Sequence, residues 1–241
     1  MNFPFVRGQF HSIGLLRSFL KCISVELGKN SVLSSAILAR KLPRAKLWEE
    51  ELFPLLLYCD YNRLPDEGEF QIMPEGREVD ATLRDRSCQI TRFQITTAYR
   101  EEDAASSRGG YIASIERQAI NKGIPVFLGG IRKDKAGQIT SKPVARYAAD
   151  DAAEWRSGLI NAIQNKISKP RYYGNVEFLL VFADRLVFDL LNQDHQTVVL
   201  SAIHAAVEGI KVLPFQKLIV LDRDPRGYVE YGNSNSELCG P

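Results

Sequence analysis

Phe178-Leu179-Leu180-Val181-Phe182 is the stretch that most narrows what this chain can become. Successive side chains of a strand point to opposite faces, so an unbroken apolar run leaves no wet face. Such a strand belongs to a parallel or mixed sheet covered by helices on both sides. Leu218-Ile219-Val220-Leu221 repeats the pattern. The composition predicts strands within Asn175–Ala183 and Leu213–Leu221. Helical spacing predicts a helix from Asp150 or Asp151 to about Lys169, stopped by Pro170, and a second from Gln196 to Gly209.

Further upstream the pattern changes to period two. Arg77 to Leu83 and Ile90 to Thr96 each alternate apolar and polar residues, the mark of strands with one buried face. The polar segment Arg84-Asp85-Arg86-Ser87-Cys88-Gln89 is short enough to close a hairpin. A turn centred on Ser87 places Asp80 opposite Gln94, with Thr96 two residues further along the same face. A carboxylate, an amide and a hydroxyl projecting together suit a hard cation and a phosphate better than a core. The plainer alternative is the solvated side of an amphipathic sheet.

Ahead of this hairpin, Trp48, Leu52, Leu55, Leu56 and Cys59 have helical spacing within Ala45–Cys59, and Pro54 should kink that helix or begin a new turn. Glu49 and Glu51 flank its apolar face. Asp66-Glu67-Gly68 reads as a turn and Glu69–Met73 as a strand. Residues 1–44 form an amino-terminal extension of helix and loop. A domain then runs over 45–222, with an insertion around 101–149 and a flexible tail at 223–241. The insertion holds a helix over Tyr111–Lys122, a strand at Pro125–Leu128, and a loop or hairpin over Lys133–Lys142. Asp222-Arg223-Asp224 reads as a turn ahead of Pro225.

The formal net charge of +2 is too small to argue for nucleic acid by itself, so local clusters such as Lys166, Lys169 and Arg171 matter more. The four cysteines are scattered without a C-x-x-C pair, which argues against zinc and against a disulfide framework. His11, His195 and His204 are far apart, and His204 reads as a helix-face residue. No run approaches the roughly 18 apolar residues of a membrane span. These features lead us to expect a soluble cytoplasmic protein.

Lys166 breaks a pattern. Ala152, Trp155, Leu159, Ala162 and Ile163 form one apolar stripe on the helix after Asp151, and Lys166 falls within it. A lysine there either snorkels past the helix end or reaches a partner. Here the partner would be Asp80, Gln94 or a phosphate.

An acidic helix, an Asp on one strand, a polar pair two residues apart on the next, then a helix and a buried strand resembles the PD-(D/E)XK nuclease superfamily. That resemblance implies a restriction endonuclease-like α/β fold, a mixed central sheet flanked by helices with an αβββαβ core. Asp80 matches the metal-binding aspartate, and Gln94-Ile95-Thr96 takes the place of the (Asp/Glu)-x-Lys element. Glu51 matches the acidic residue of the first helix, with Glu49 or Glu50 as alternatives. Gln94 stands where a carboxylate is expected and Thr96 where a lysine is, so Lys166 would substitute from the helix.

The resemblance implies phosphodiester hydrolysis of DNA or RNA. Asp80, Gln94 and Glu51 would hold Mg²⁺ or Mn²⁺ to polarise the phosphate and activate water. Lys166 would stabilise developing charge, and Lys169 and Arg171 would contact phosphates. Many members of this superfamily form homodimers. The substitutions at Gln94 and Thr96 equally fit a domain that has lost catalysis and binds nucleic acid or protein, and an unrelated soluble α/β protein is the third reading.

Overall fold

The two apolar runs form adjacent interior strands of a seven-stranded sheet. The computed structural model describes residues 4–29, 47–98, 131–133, 136–141, 148–168, 176–183, 195–222 and 228–232. In chain order its elements are β1 (Phe10–Ser12), α1 (Ile13–Lys29), a short π-helical segment (Trp48–Leu52), α2 (Phe53–Tyr61), β2 (Glu69–Ile72), β3 (Ala81–Arg84) and β4 (Ile90–Ala98). There follow β5 (Ile131–Lys133), β6 (Ile139–Ser141), α3 (Ala148–Ile167), β7 (Phe178–Ala183), α4 (His195–Val207), β8 (Lys217–Leu221) and β9 (Val229–Gly232).

The sheet order is β1-β2-β3-β4-β7-β8-β9. The pairs from β1 to β4 are antiparallel, β4-β7 and β7-β8 are parallel, and β8-β9 is antiparallel. This is a mixed α/β sheet with helices on both faces. The alternation within β7 explains the layering. Leu179 and Val181 join an apolar cluster with Trp155, Leu159 and Ile163 of α3 and Val199, Ala202 and Ile203 of α4. Leu180 joins the opposite cluster, with Ile13 and Leu16 of α1, Leu52 of the π-helical segment, and Leu55 and Cys59 of α2. Leu218 and Val220 follow the first set, Ile219 and Leu221 the second.

Pro54 begins a new turn, as expected. The π-helical segment ends at Leu52, and Pro54 occupies the first turn of α2, where a missing N–H costs least. β2 and the 66–68 turn also stand where the sequence put them. β5 and β6 make a two-stranded hairpin that begins at Ile131, two residues ahead of the expected loop or hairpin at Lys133. The helix and strand expected over 111–128 lie outside the described residues.

Several boundaries differ. The amino-terminal segment is not an extension, because β1 pairs with β2 and α1 packs in the main core. Arg17 of α1 secures that docking, donating to Asp60 and to the Leu64 carbonyl, both at 2.9 Å. The 223–241 tail contains β9, which pairs with β8. α3 starts at Ala148, ahead of the aspartates expected to cap it.

Candidate functional site

The hairpin register fixes the site. Ala81 pairs with Phe93 and Arg84 with Ile90, so the turn is centred on Ser87 and Asp80 falls opposite Gln94. Asp85 shapes that turn. Its Oδ1 accepts from the Ser87 and Gln89 backbone N–H groups, both at 2.9 Å, and from the Ser87 hydroxyl at 2.7 Å. These bonds, the Ser87 hydroxyl first, hold the Asp85 carboxyl below its ordinary pKa. Cys88 takes a positive φ of 63° to close the loop.

Arg77 to Asp80 were expected within the strand, but β3 begins only at Ala81. The shift has a consequence. β3 pairs with β4 as far as Phe93, whereas β7 pairs with β4 from Phe93 to Ala98. At Gln94, therefore, β4 loses its partner on the β3 side. A buried strand N–H must still find an acceptor. Asp80 supplies it. Its backbone N–H donates to the Phe93 carbonyl at 2.9 Å, and its side-chain Oδ2 accepts from the Ile95 N–H at 2.8 Å. The Gln94 side chain, 6% exposed, donates its Nε2 to the same carboxylate oxygen.

Gln94 and Thr96 point to the α3 face of the sheet, since Phe93 and Ile95 belong to the α2-side cluster and Ala98 to the α3-side cluster. Thr96 is half-buried there. The last turn of α3 carries Lys166, also half-buried. Ile163 and Ile167, which flank it, share a cluster with Val79, the residue before Asp80. The Lys166 turn and Val79 therefore lie on the same face of the sheet. Lys169 and Arg171 lie outside the described residues.

Glu51 arrives at the same end of the sheet by another route. Arg7 grips it with two bonds, Nη2 to Oε1 at 3.0 Å and Nη1 to Oε2 at 3.1 Å. The same guanidinium donates to the Met73 carbonyl at 2.6 Å, and the Met73 N–H donates to the Asp80 carbonyl at 2.9 Å. Glu51 and Asp80 are thus linked through Arg7 and Met73. Glu50 is half-buried in the π-helical segment. The Glu49 side chain lies outside the described residues.

Mg²⁺ or Mn²⁺ asks for several oxygen ligands, with carboxylates supplying the charge. One Asp80 oxygen already accepts two N–H donors. Gln94 turns its amide nitrogen, not its carbonyl, towards Asp80. Glu51 is neutralised by Arg7 with 16% of its side chain exposed. Among the described residues no three of His, Cys, Asp and Glu gather as metal ligands would. As arranged, the residues do not fit a divalent cation.

Arg7 is the residue that sequence reasoning missed. It lies in an amino-terminal segment without a motif, 44 residues from its carboxylate partner. Asp222 is the second. It reads as part of a turn yet is 3% exposed, and the Tyr61 hydroxyl donates to its carbonyl. Its position directly after an apolar strand was the only available signal.

Comparison with protein-family models, with curated proteins and with solved structures yields no match for this chain. Among the described residues, no helix is long and apolar enough to cross a membrane.

Proposed function

We propose that this chain is a restriction endonuclease-like domain that binds nucleic acid without cutting it. The element order supports the first part of the reading. A helix precedes three antiparallel strands, then a helix leads into a strand parallel to the third. That is the αβββαβ order of the superfamily which the sequence resembles, with Asp80 at the point where two strands part.

The loss of cutting rests on one observation. The Asp80 carboxylate serves as a hydrogen-bond acceptor for the Ile95 N–H and the Gln94 amide, the place where a nuclease would bind its cation. The Arg7–Glu51 pair removes the second acidic group. The binding half rests on the resemblance and on the basic sequence cluster Lys166, Lys169 and Arg171.

Fluorescence anisotropy with labelled single-stranded and duplex DNA and RNA tests this reading, run in EDTA and in Mn²⁺ beside a cleavage assay. Binding that weakens with salt, persists in EDTA and leaves the substrate intact is the expected result. Absence of binding to all probes would overturn the proposal. Metal-dependent cutting abolished by Asp80→Ala would replace it with the active-nuclease reading.

A further inference from the structure

On the α2 side of the sheet, beside the amino-terminal ends of β7 and β8, lies a groove of about 230 Å³. It is separate from Asp80. Leu83, Leu64 and Ile13 give it apolar walls, and the half-buried Phe178 ring lines it as well. An apolar cavity of about 150 Å³ is enough to take benzene. This groove has room for a larger ring.

The polar lining divides into two kinds. Every charged group is already engaged. Arg84 donates to Glu69 at 2.7 Å, Lys217 to Glu230 at 2.7 Å, and Asp85 accepts from its own turn. The neutral groups are not. The Tyr58 hydroxyl, the Thr91 hydroxyl and the Gln89 side-chain amide make no hydrogen bond to another described residue, and all three residues line the groove. Tyr58 and Thr91 are half-buried and Gln89 is exposed; a half-buried polar group without a partner costs free energy, and a ligand that pairs with it recovers the loss. Burial also raises the Tyr58 pKa, so its hydroxyl stays protonated and able to donate.

A charged ligand would have to break the Arg84–Glu69 or Lys217–Glu230 pair to find its counter-ion. An uncharged one would not. We infer that this groove binds a small, uncharged planar heterocycle with both donor and acceptor edges, the chemistry of a nucleobase. Phe178 supplies an aromatic surface to the ring, and Tyr58, Thr91 and Gln89 meet its polar edge. The inference does not depend on polynucleotide binding, because a free nucleoside would suffice.

The test is a titration of the isotope-labelled full chain with adenosine, guanosine, cytidine and uridine, followed by amide NMR shifts. Saturable shifts confined to residues lining the groove are expected for at least one nucleoside, with a Kd of about 1 mM or tighter. Tyr58→Phe and Thr91→Val should each weaken that binding about 5–10-fold, the loss of one hydrogen bond, while the remaining spectrum keeps its folded dispersion. No saturation by any nucleoside would overturn the inference, as would shifts elsewhere in the molecule. Wild-type affinity in both variants would do so too. So would tighter binding of a nucleoside monophosphate than of its nucleoside, since the groove would then be reading charge.

Discussion

The Asp80 carboxylate accepts the Gln94 amide at the point where β3 stops covering β4, and through the same oxygen it satisfies the backbone of Ile95. The pair that the resemblance marks as catalytic therefore also bridges the two strands where they part.

If that bridge is structural, Asp80→Ala should cost about 2–3 kcal/mol of stability, because it orphans one buried N–H and one buried amide. Asp80→Asn can still offer an oxygen to Ile95, with Gln94 turned to match, and should cost less than about 1 kcal/mol. Urea denaturation of both variants measures this. Equal stability of Asp80→Ala and the wild type would remove the structural role.

Gln94→Glu sets a second carboxylate against Asp80. Two like charges in contact cannot both stay ionised cheaply, so one of them takes a raised pKa in the folded state. A raised folded pKa means that stability is full below the ordinary glutamate value of about 4.3 and falls as pH rises through the folded value. The variant should be about 2 kcal/mol less stable than wild type near neutral pH, with the gap closing in acid. Added Mn²⁺ should raise its Tm, while the wild type stays unchanged. Thermal melts at two pH values, with and without Mn²⁺, decide the matter.

Thr97 carries a different signal. Its Oγ1 is buried with no hydrogen-bond partner among the described residues. Thr97→Val keeps the shape and removes the unsatisfied hydroxyl, so it should be neutral or stabilising by up to about 1 kcal/mol. A loss larger than that in chemical denaturation would mean that the hydroxyl is satisfied, as by a buried water.

Two tyrosines should make the fold sensitive to alkali. Burial raises the pKa of Tyr58 and of Tyr228 above the ordinary 10.0, and for Tyr228 the bond it donates to Glu230 adds to the effect. The folded state holds these protons more tightly than the unfolded chain. Their contribution is therefore complete below pH 10.0 and is lost as pH rises through the folded values. Tyrosinate absorbance should show both groups ionising only as the fold is lost. In the double variant Tyr58→Phe and Tyr228→Phe, stability should fall less steeply with alkali.

Much of the sheet was legible because its signals are local. Two apolar runs required two buried faces, and the alternation in β7 and β8 delivers one set of side chains to each cluster. The register of the hairpin followed from symmetry about Ser87, which Asp85 enforces with bonds inside the turn. Pro54 marked the start of α2 for a reason confined to its own ring. The segment before Ala81 was less legible. Polar and apolar residues alternate there too, but period two describes a bend as readily as a strand end.

What the sequence determined by itself was the mixed α/β layering, the pairing of Asp80 with Gln94, and that Gln94 and Thr96 share one face. Only the tertiary structure decided what those groups do. Arg7 claims Glu51 from 44 residues away, and the ending of β3 leaves Ile95 to be satisfied by Asp80. Periodicity is written into neighbouring residues. The partner of a charge or of a strand edge is chosen by which groups burial brings together, because each must be paired once water is excluded.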